Sequence, residues 1–97
     1  MKKGYWIVRA DVTEPEKFKN YAAKTPEAMT RYGGKFLVRA GDYFLAEGST
    51  RSRNSVIEFP SYQAALDCWQ SLEYQSAKKL RVGGAELDIV IIDGFEG

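Results

Sequence analysis

Residues 83–93, which read GGAELDIVIID, decide the fold of this chain of 97 residues. The glycine pair is followed by a nearly continuous apolar run, Leu87 to Asp93, which predicts a β-strand inside the structure with both faces buried. A second pair, Gly33-Gly34, precedes another predicted strand, Lys35 to Ala40. Because glycine adopts the backbone conformation that ends helices, each pair indicates a helix that leads into a strand.

A strand and a helix are predicted before the first glycine pair. Tyr5 to Val12 is rich in β-branched and aromatic residues, which favours a strand. Thr13 and Glu16 have the spacing of a helix capping box, with a proline suited to the first turn between them. Pro26 lacks an amide hydrogen and clashes with the preceding turn, so we expect a kink or restart there and two short helical pieces.

The middle of the chain predicts a hairpin and then a loop. Gly41-Asp42 can turn the chain from the Lys35 strand into an extra short strand, Tyr43 to Gly48. Residues 49–54 are polar, have no hydrophobic period and predict a loop before the strand Ser55 to Phe59. Two further helical segments follow, for which Ser61 and Ser71 are the predicted caps.

The order of strand, helix, glycine pair and strand therefore occurs twice. Right-handed crossovers then favour an α+β, ferredoxin-like βαββαβ fold with an extra short strand. Its antiparallel sheet has the helices on one face, in a single domain over residues 1–97. The helices leave the other face uncovered, and large apolar groups occur on both faces of the first strand, with Trp6 and Val8 on one and Tyr5 and Ile7 on the other. We expect a homodimer in which two such faces meet, a dimeric α/β barrel, since a monomer would expose a sizeable apolar patch.

Composition narrows the class of function and the compartment. Lysine and arginine total 14 against 13 acidic residues, so the chain lacks the positive charge that dominates nucleic-acid affinity. We expect no nucleic-acid or membrane partner. Cys68 stands alone and the N-terminus MKKGYWIV lacks the pattern of a signal peptide, which indicates the cytoplasm. Histidine is absent, so we expect no metal site, no cofactor and no hydrolytic triad, and Cys68 is interpreted as a core residue.

Five segments in combination resemble one family. They read GYWIVRADV, YGGKFLVRAGD, VIEFPSYQAAL, SLEYQSAKKLR and DIVIIDG. Together they resemble domain-of-unknown-function family 1330, within the dimeric α/β-barrel superfamily, over nearly the whole chain. The resemblance implies a ferredoxin-like protomer whose sheet packs against that of its mate, and it implies no agreed activity.

Charged residues inside the predicted strands are the first candidates for a site. They are Arg9, Arg39, Glu47 and Glu58. A buried charge must be paired, so these side chains could line a polar pocket in which an arginine holds a small carboxylate or phosphate. The structural alternative is that they form ion pairs across the dimer or reach water at the ends of the sheet.

Aromatic residues at helical spacing are the second group of candidates. Tyr21, Trp69 and Tyr74 could wall a ligand cleft between sheet and helices, although core packing explains them as well. Arg81 ends the last helix, where a cation stabilises the helix dipole, and the resemblance makes it a pocket candidate.

Three functions compete. The first is a site for a small polar or anionic molecule between sheet and helices, in a binding module or, as superfamily relatives imply, a cofactor-independent isomerase or monooxygenase. In an enzyme, Glu47 or Glu58 would be the base, and Arg9 or Arg39 would stabilise the anion. The second is a structural or interaction dimer without a ligand. The third, RNA binding, shares the topology but lacks the aromatic pattern of RNA-recognition motifs.

Overall fold

The computed structural model describes residues 2–96, which form four strands and three helices. In chain order these are β1 (Gly4–Val12), α1 (Pro15–Arg31), β2 (Lys35–Arg39), β3 (Arg53–Phe59), α2 (Tyr62–Gln70), α3 (Leu72–Lys79) and β4 (Ala85–Asp93). Every strand pairing is antiparallel, and the order across the sheet is β2-β3-β1-β4. This confirms the predicted α+β fold of antiparallel sheet and helices. No helix among these residues has the length and apolarity needed to cross a bilayer.

Strand register separates the sheet into a helix-covered face and an open face. Trp6 of β1 pairs with Ile57 and Ile91 of its two neighbours, and all three lie on the covered face. Its indole Nε1 donates to the Ala65 carbonyl of α2 over 2.9 Å, which joins the sheet to the helix layer. Cys68 is fully buried in this core, where sequence analysis placed it.

The helix α1 is continuous from Pro15 to Arg31, so the predicted division into two pieces is wrong. Pro26 deprives the carbonyl of Ala22 of its helical hydrogen bond. Two side chains replace that bond: Thr25 Oγ1 donates to the same oxygen over 3.4 Å and Arg39 Nη2 over 3.3 Å. The helix continues because the vacated acceptor has other donors.

The predicted capping box at the start of α1 is not formed. The cap residue is Glu14, whose side chain makes no capping bond. The backbone amides of Thr13 and Glu14 instead both donate to the Gly84 carbonyl over 2.9 Å. By contrast, Ser61 and Ser71 cap α2 and α3 as predicted, accepting from the amides of residues 64 and 74.

A long loop between β2 and β3 replaces the predicted extra strand Tyr43 to Gly48. Ala40 leaves β2 with a φ of 51°, and the chain then runs outside the sheet. Residues 41–49, which we term the arm, expose the side chains of Tyr43, Phe44 and Leu45. High strand propensity was misleading here because a strand forms only where a neighbouring edge accepts its hydrogen bonds.

Arg51 fastens the far end of the arm to the open face of the sheet. Its guanidinium donates to Asp88 over 2.8 Å, to Asp11 over 2.9 Å and to Glu86 over 3.3 Å. The Ser52 amide adds a bond of 2.9 Å to Asp11. The chain is therefore fixed to the sheet at Arg51 and Ser52, directly after the arm.

The strand β4, at an edge of the sheet, is covered by helices on one face only, so its predicted burial on both faces is wrong. Its residues alternate between half-buried and exposed, with Val90 54% and Ile92 46% exposed on the open face. The continuous apolar run reflects an uncovered face, on which Ile7 and Val38 are also exposed.

Candidate functional site

A cavity of about 60 Å³ lies between α1 and the covered face of the sheet. Every strand and α1 contribute to its wall, which consists of Trp6, Val8, Ala10, Phe18, Tyr21, Ala22, Thr25, Met29, Phe36, Arg39, Arg53, Ser55, Ile57 and Leu87. The wall is aromatic and aliphatic for the most part, with a few polar groups. This is the usual composition of a small-molecule site.

Two arginines supply all the charge of the cavity wall as far as the structure describes it. The Arg39 guanidinium lies 4.4 Å from the ring centre of Phe36, and that of Arg53 lies 5.0 Å from Phe18. Within residues 2–96, neither arginine forms an ion pair with a carboxylate. The cavity therefore combines an apolar interior with positive charge that the described chain does not neutralise.

A buried polar network adjoins the cavity at Tyr21. The hydroxyl groups of Tyr21 and Tyr74 are 2.8 Å apart. Arg81 donates from Nη2 to the Tyr74 oxygen over 3.5 Å, and its guanidinium carbon lies 5.1 Å from the Tyr21 ring centre. Burial raises the pKa of Tyr21 well above that of a free phenol, and the nearby Tyr74 adds to this effect, so Tyr21 is a neutral hydrogen-bond donor.

Arg81 is an unusual member of this network because it is only 9% exposed and has no carboxylate partner within the described chain. Its Nε is buried with no hydrogen-bond acceptor in the structure. Buried guanidinium groups are normally paired, so this arrangement marks the network as a candidate for function.

The structure brings four of the predicted site residues to the cavity or its adjoining network: Tyr21, Arg39, Tyr74 and Arg81. Trp69 lies one layer away, where its ring packs 5.3 Å from that of Tyr74 and carries Lys78 Nζ at 4.9 Å. Trp69 is not part of the cavity wall, but its ring packs 5.9 Å from that of Trp6, which is.

The other three predicted residues lie elsewhere. Arg9 is exposed on the open face beside the Arg51 cluster, and Glu47 is exposed in the arm. Glu58 also lies on the open face, where it accepts from the Tyr5 hydroxyl over 3.0 Å and pairs with Lys35 at 3.5 Å. The four charges predicted inside strands thus do not share one pocket in the chain.

Sequence reasoning missed Arg53 and the two rings on which the arginines stack. Arg53 fell in the predicted loop 49–54, whereas β3 begins at this residue. Alternation along Arg53, Ser55, Ile57 and Phe59 was the available signal, since it places Arg53 on the same face as the buried residues.

The family model for the domain of unknown function DUF1330 matches residues 3–95 of the chain. No curated protein resembles the sequence at a significant level. The similarity therefore relates the chain to a set of domains and does not bring an activity with it.

Several solved structures resemble the fold at low sequence identity. A protein of unknown function from Rhodopseudomonas palustris has a TM-score of 0.76 at 14% identity, over 99% of this chain and 85% of that chain. SnoaB, a cofactor-independent oxygenase from Streptomyces nogalater, has a TM-score of 0.65 at 11% identity, over 100% and 97%. An EthD family protein from Bacillus halodurans has a TM-score of 0.54 at 14% identity, over 100% of both chains. At these identities the likeness shows the ferredoxin-like fold alone.

Proposed function

The chain belongs to the DUF1330 family, and from that premise we propose that it binds a small apolar molecule with an anionic group in the cavity between α1 and the sheet. One observation carries the proposal: the apolar cavity wall holds Arg39 and Arg53, and no carboxylate of residues 2–96 pairs with either of them. A carboxylate on the ligand would supply the missing partner through charge-assisted hydrogen bonds.

The size of the cavity limits the ligand. Drug-sized ligands occupy clefts of roughly 300–1,000 Å³, whereas this cavity holds about 60 Å³. We infer that the ligand is no larger than a single ring, that it enters when the exposed Arg39 side chain moves, and that its charged group then lies at the two guanidinium groups. Small aromatic carboxylates meet both requirements.

Benzoate and benzamide test this assignment, since they share a shape and differ in charge. We expect titration calorimetry to show that the protein binds benzoate and discriminates against benzamide. Arg53→Met should weaken benzoate binding roughly tenfold or more, because a hydrogen bond to a charged group is lost. Arg9→Met removes an equal charge from the open face and should leave binding unchanged. Equal affinity for the two compounds, or an unaffected Arg53 variant, would refute the proposal.

The second part of the proposed function is a homodimer formed through the open face. Ile7, Val38, Val90 and Ile92 expose aliphatic surface there, and the arm adds Tyr43, Phe44 and Leu45. Arg51, just after the arm, is bound to the open face, and we infer that both apolar regions are available to one partner. A second copy offers the same surface, which suits the self-complementary interface of a two-fold dimer.

Analytical ultracentrifugation tests the dimer. We expect the wild-type protein to sediment as a dimer and Val90→Lys to sediment as a monomer, because a lysine within an apolar interface is strongly unfavourable. Val82→Lys is the matched control, since Val82 is 67% exposed just after α3 and outside the sheet. A wild-type monomer would refute this part of the proposal.

The same experiments separate the alternatives. A dimer that binds neither benzoate nor any related carboxylate would favour an interaction protein without a ligand. Cofactor-independent oxygenase chemistry is the second candidate function, because SnoaB, which shares the fold, is a cofactor-independent oxygenase. Oxygen consumption in the presence of a bound aromatic compound would identify the oxygenase, and its absence would leave the binding module.

A further inference from the structure

Ser55 is placed between the two cavity arginines by the register of the sheet. It lies directly opposite Arg39 of β2 and two residues from Arg53 along β3, all on the covered face. Opposed side chains start about 5 Å apart, and those two residues apart along a strand start about 7 Å apart. Ser55 is half-buried and lines the cavity. It therefore forms the strand side of the wall where the two cationic side chains begin.

The two arginine side chains reach from the sheet toward the same side of α1. Arg39 donates to the Ala22 carbonyl over 3.3 Å, and the Arg53 guanidinium lies 5.0 Å from the ring centre of Phe18. Phe18 and Ala22 are one helical turn apart, so their Cβ atoms are about 6 Å apart. Two like charges so placed repel each other, and no carboxylate of residues 2–96 pairs with either. An anion between them would relieve this repulsion.

The Ser55 hydroxyl has a proton to offer such an anion. Its oxygen accepts from the Ala40 amide over 3.1 Å, which uses one of its two lone pairs and leaves its proton free. Within residues 2–96, this hydroxyl donates to no acceptor. The neighbouring guanidinium groups carry only donors, so neither arginine can accept the proton. A carboxylate oxygen is the acceptor that this position lacks.

We propose that Ser55 is the third anion-binding residue of the cavity and donates its hydroxyl proton to the carboxylate that Arg39 and Arg53 bind. This inference rests on the proposed function and adds the group that recognises the carboxylate from the sheet. A carboxylate has two oxygens and about four lone pairs, which is enough for all three donor groups. The serine side chain is short and its oxygen is held by the Ala40 amide, so it supplies a donor at a defined position.

Ala40 links this hydroxyl to the start of the arm. Its φ of 51° is uncommon for a residue with a side chain, and its amide donates both to Ser55 Oγ and, over 3.0 Å, to the Asn54 carbonyl. A hydroxyl that donates to a carboxylate becomes a stronger acceptor, because hydrogen bonds in a chain polarise one another. A carboxylate bound at Ser55 should therefore strengthen the hydrogen bond of the Ala40 amide.

Calorimetry with benzoate tests the role of Ser55. We expect Ser55→Ala to weaken benzoate binding roughly tenfold, because a hydrogen bond to a charged group is lost. Ser55→Thr keeps a hydroxyl group and suits a strand, so it should retain most of the affinity. Ser76→Ala is the matched control, since it removes the hydroxyl of an exposed serine in α3 and should leave the affinity unchanged.

The NMR signal of the Ala40 amide separates contact with the ligand from a structural role of Ser55. We expect saturating benzoate to move the amide proton of wild-type Ala40 downfield and to slow its hydrogen exchange, and to do neither in Ser55→Ala. Wild-type affinity in Ser55→Ala, or a wild-type Ala40 signal that benzoate leaves unchanged, would overturn the role of Ser55 while the proposed function stands. A wild-type protein that binds no benzoate would overturn both.

Discussion

Arg39 donates a hydrogen bond from Nη2 to the carbonyl oxygen of Ala22 over 3.3 Å. That carbonyl is the one that Pro26 leaves without a helical donor, since proline has no amide hydrogen. A local defect in α1 is thereby satisfied by a residue of β2, and the same contact orients Arg39 along the cavity wall. The proline and the candidate ligand-binding arginine form one structural unit.

Arg39→Met is expected to weaken benzoate binding roughly ten- to a hundredfold, because it removes a charge-assisted hydrogen bond to the ligand. The melting temperature should change little, since Arg39 is exposed and Thr25 still donates to the Ala22 carbonyl. Calorimetry and thermal unfolding monitored by circular dichroism measure the two effects. A variant that binds benzoate like the wild-type protein would exclude Arg39 from the site.

Pro26→Ala is expected to raise the free energy of unfolding by about 1–3 kcal/mol. The new amide restores the helical bond to Ala22, and proline inside a helix costs about 3 kcal/mol relative to alanine. Part of this gain is offset because proline restricts the unfolded chain. Urea denaturation measures the change, and a lower midpoint than that of the wild-type protein would show that the side-chain donors already replace the bond in full.

Two glycine substitutions should differ sharply. A Cβ on Gly4 would lie 2.6 Å from Tyr62 Cα and closer still to the Ser61 carbonyl oxygen, both in the backbone. Gly4→Ala should therefore cost about 1–3 kcal/mol or more, as overpacked sites do. Gly41 has no atom within 4 Å of such a Cβ and no left-handed φ, so Gly41→Ala should leave stability within about 0.5 kcal/mol. Similar urea midpoints for both variants would contradict this account of the packing between β1 and α2.

The sequence predicted the sheet faces well because strand alternation is a local property. Trp6 and Tyr5 lie on opposite faces, as their spacing requires, and the serine caps of α2 and α3 need only the adjacent turn. The continuity of α1 could not be predicted in this way. The Ala22 carbonyl accepts from two side chains, and one of them, Arg39, lies 17 residues away, which local reasoning about Pro26 does not consider.

The candidate site was predictable to a similar extent. Helical spacing singled out Tyr21 and Tyr74, and their contact then required only that α1 pack against α3. Arg53 was missed because the boundary of β3 falls within a polar segment, where periodicity is weak. The orphaned Nε of Arg81 is a property of three-dimensional packing, which no sequence pattern reports.

Cys68 should be unreactive toward Ellman's reagent in the native protein. Burial raises the pKa of its thiol to about 12, and the negative charge of Glu73 adds to the effect, so almost no thiolate forms near neutral pH. The sulfur is fully buried, with Met29 Sδ at 3.7 Å. We expect one thiol per chain to react in denaturant. In the folded protein, the rate of reaction should equal the rate at which the structure opens and exposes Cys68. Rapid stoichiometric labelling without denaturant would contradict the core placement.

The anchoring of the arm should depend on pH through Asp11. The Ser52 amide, followed by Arg51, lowers the pKa of Asp11 below its ordinary value of 3.8. Because the folded state prefers the carboxylate, the stabilisation is fully present above that value and is lost as the pH falls through the lowered pKa. Glu86 and Asp88 also accept hydrogen bonds from Arg51, so the contribution of Asp11 must be isolated by substitution.

Hydrogen exchange of the Ser52 amide, corrected for its intrinsic pH dependence, provides that measurement. We expect its protection to decline as the pH is lowered from about 5 to about 2 in the wild-type protein. Asp11→Asn keeps an oxygen acceptor for the amide but cannot lose a charge, so its protection should vary less over the same range. Parallel profiles for the two proteins would mean that the pH dependence of Ser52 protection does not come from Asp11 and that Asp88 and Glu86 hold Arg51 without it. A flat wild-type profile would mean that the arm is held without its carboxylates.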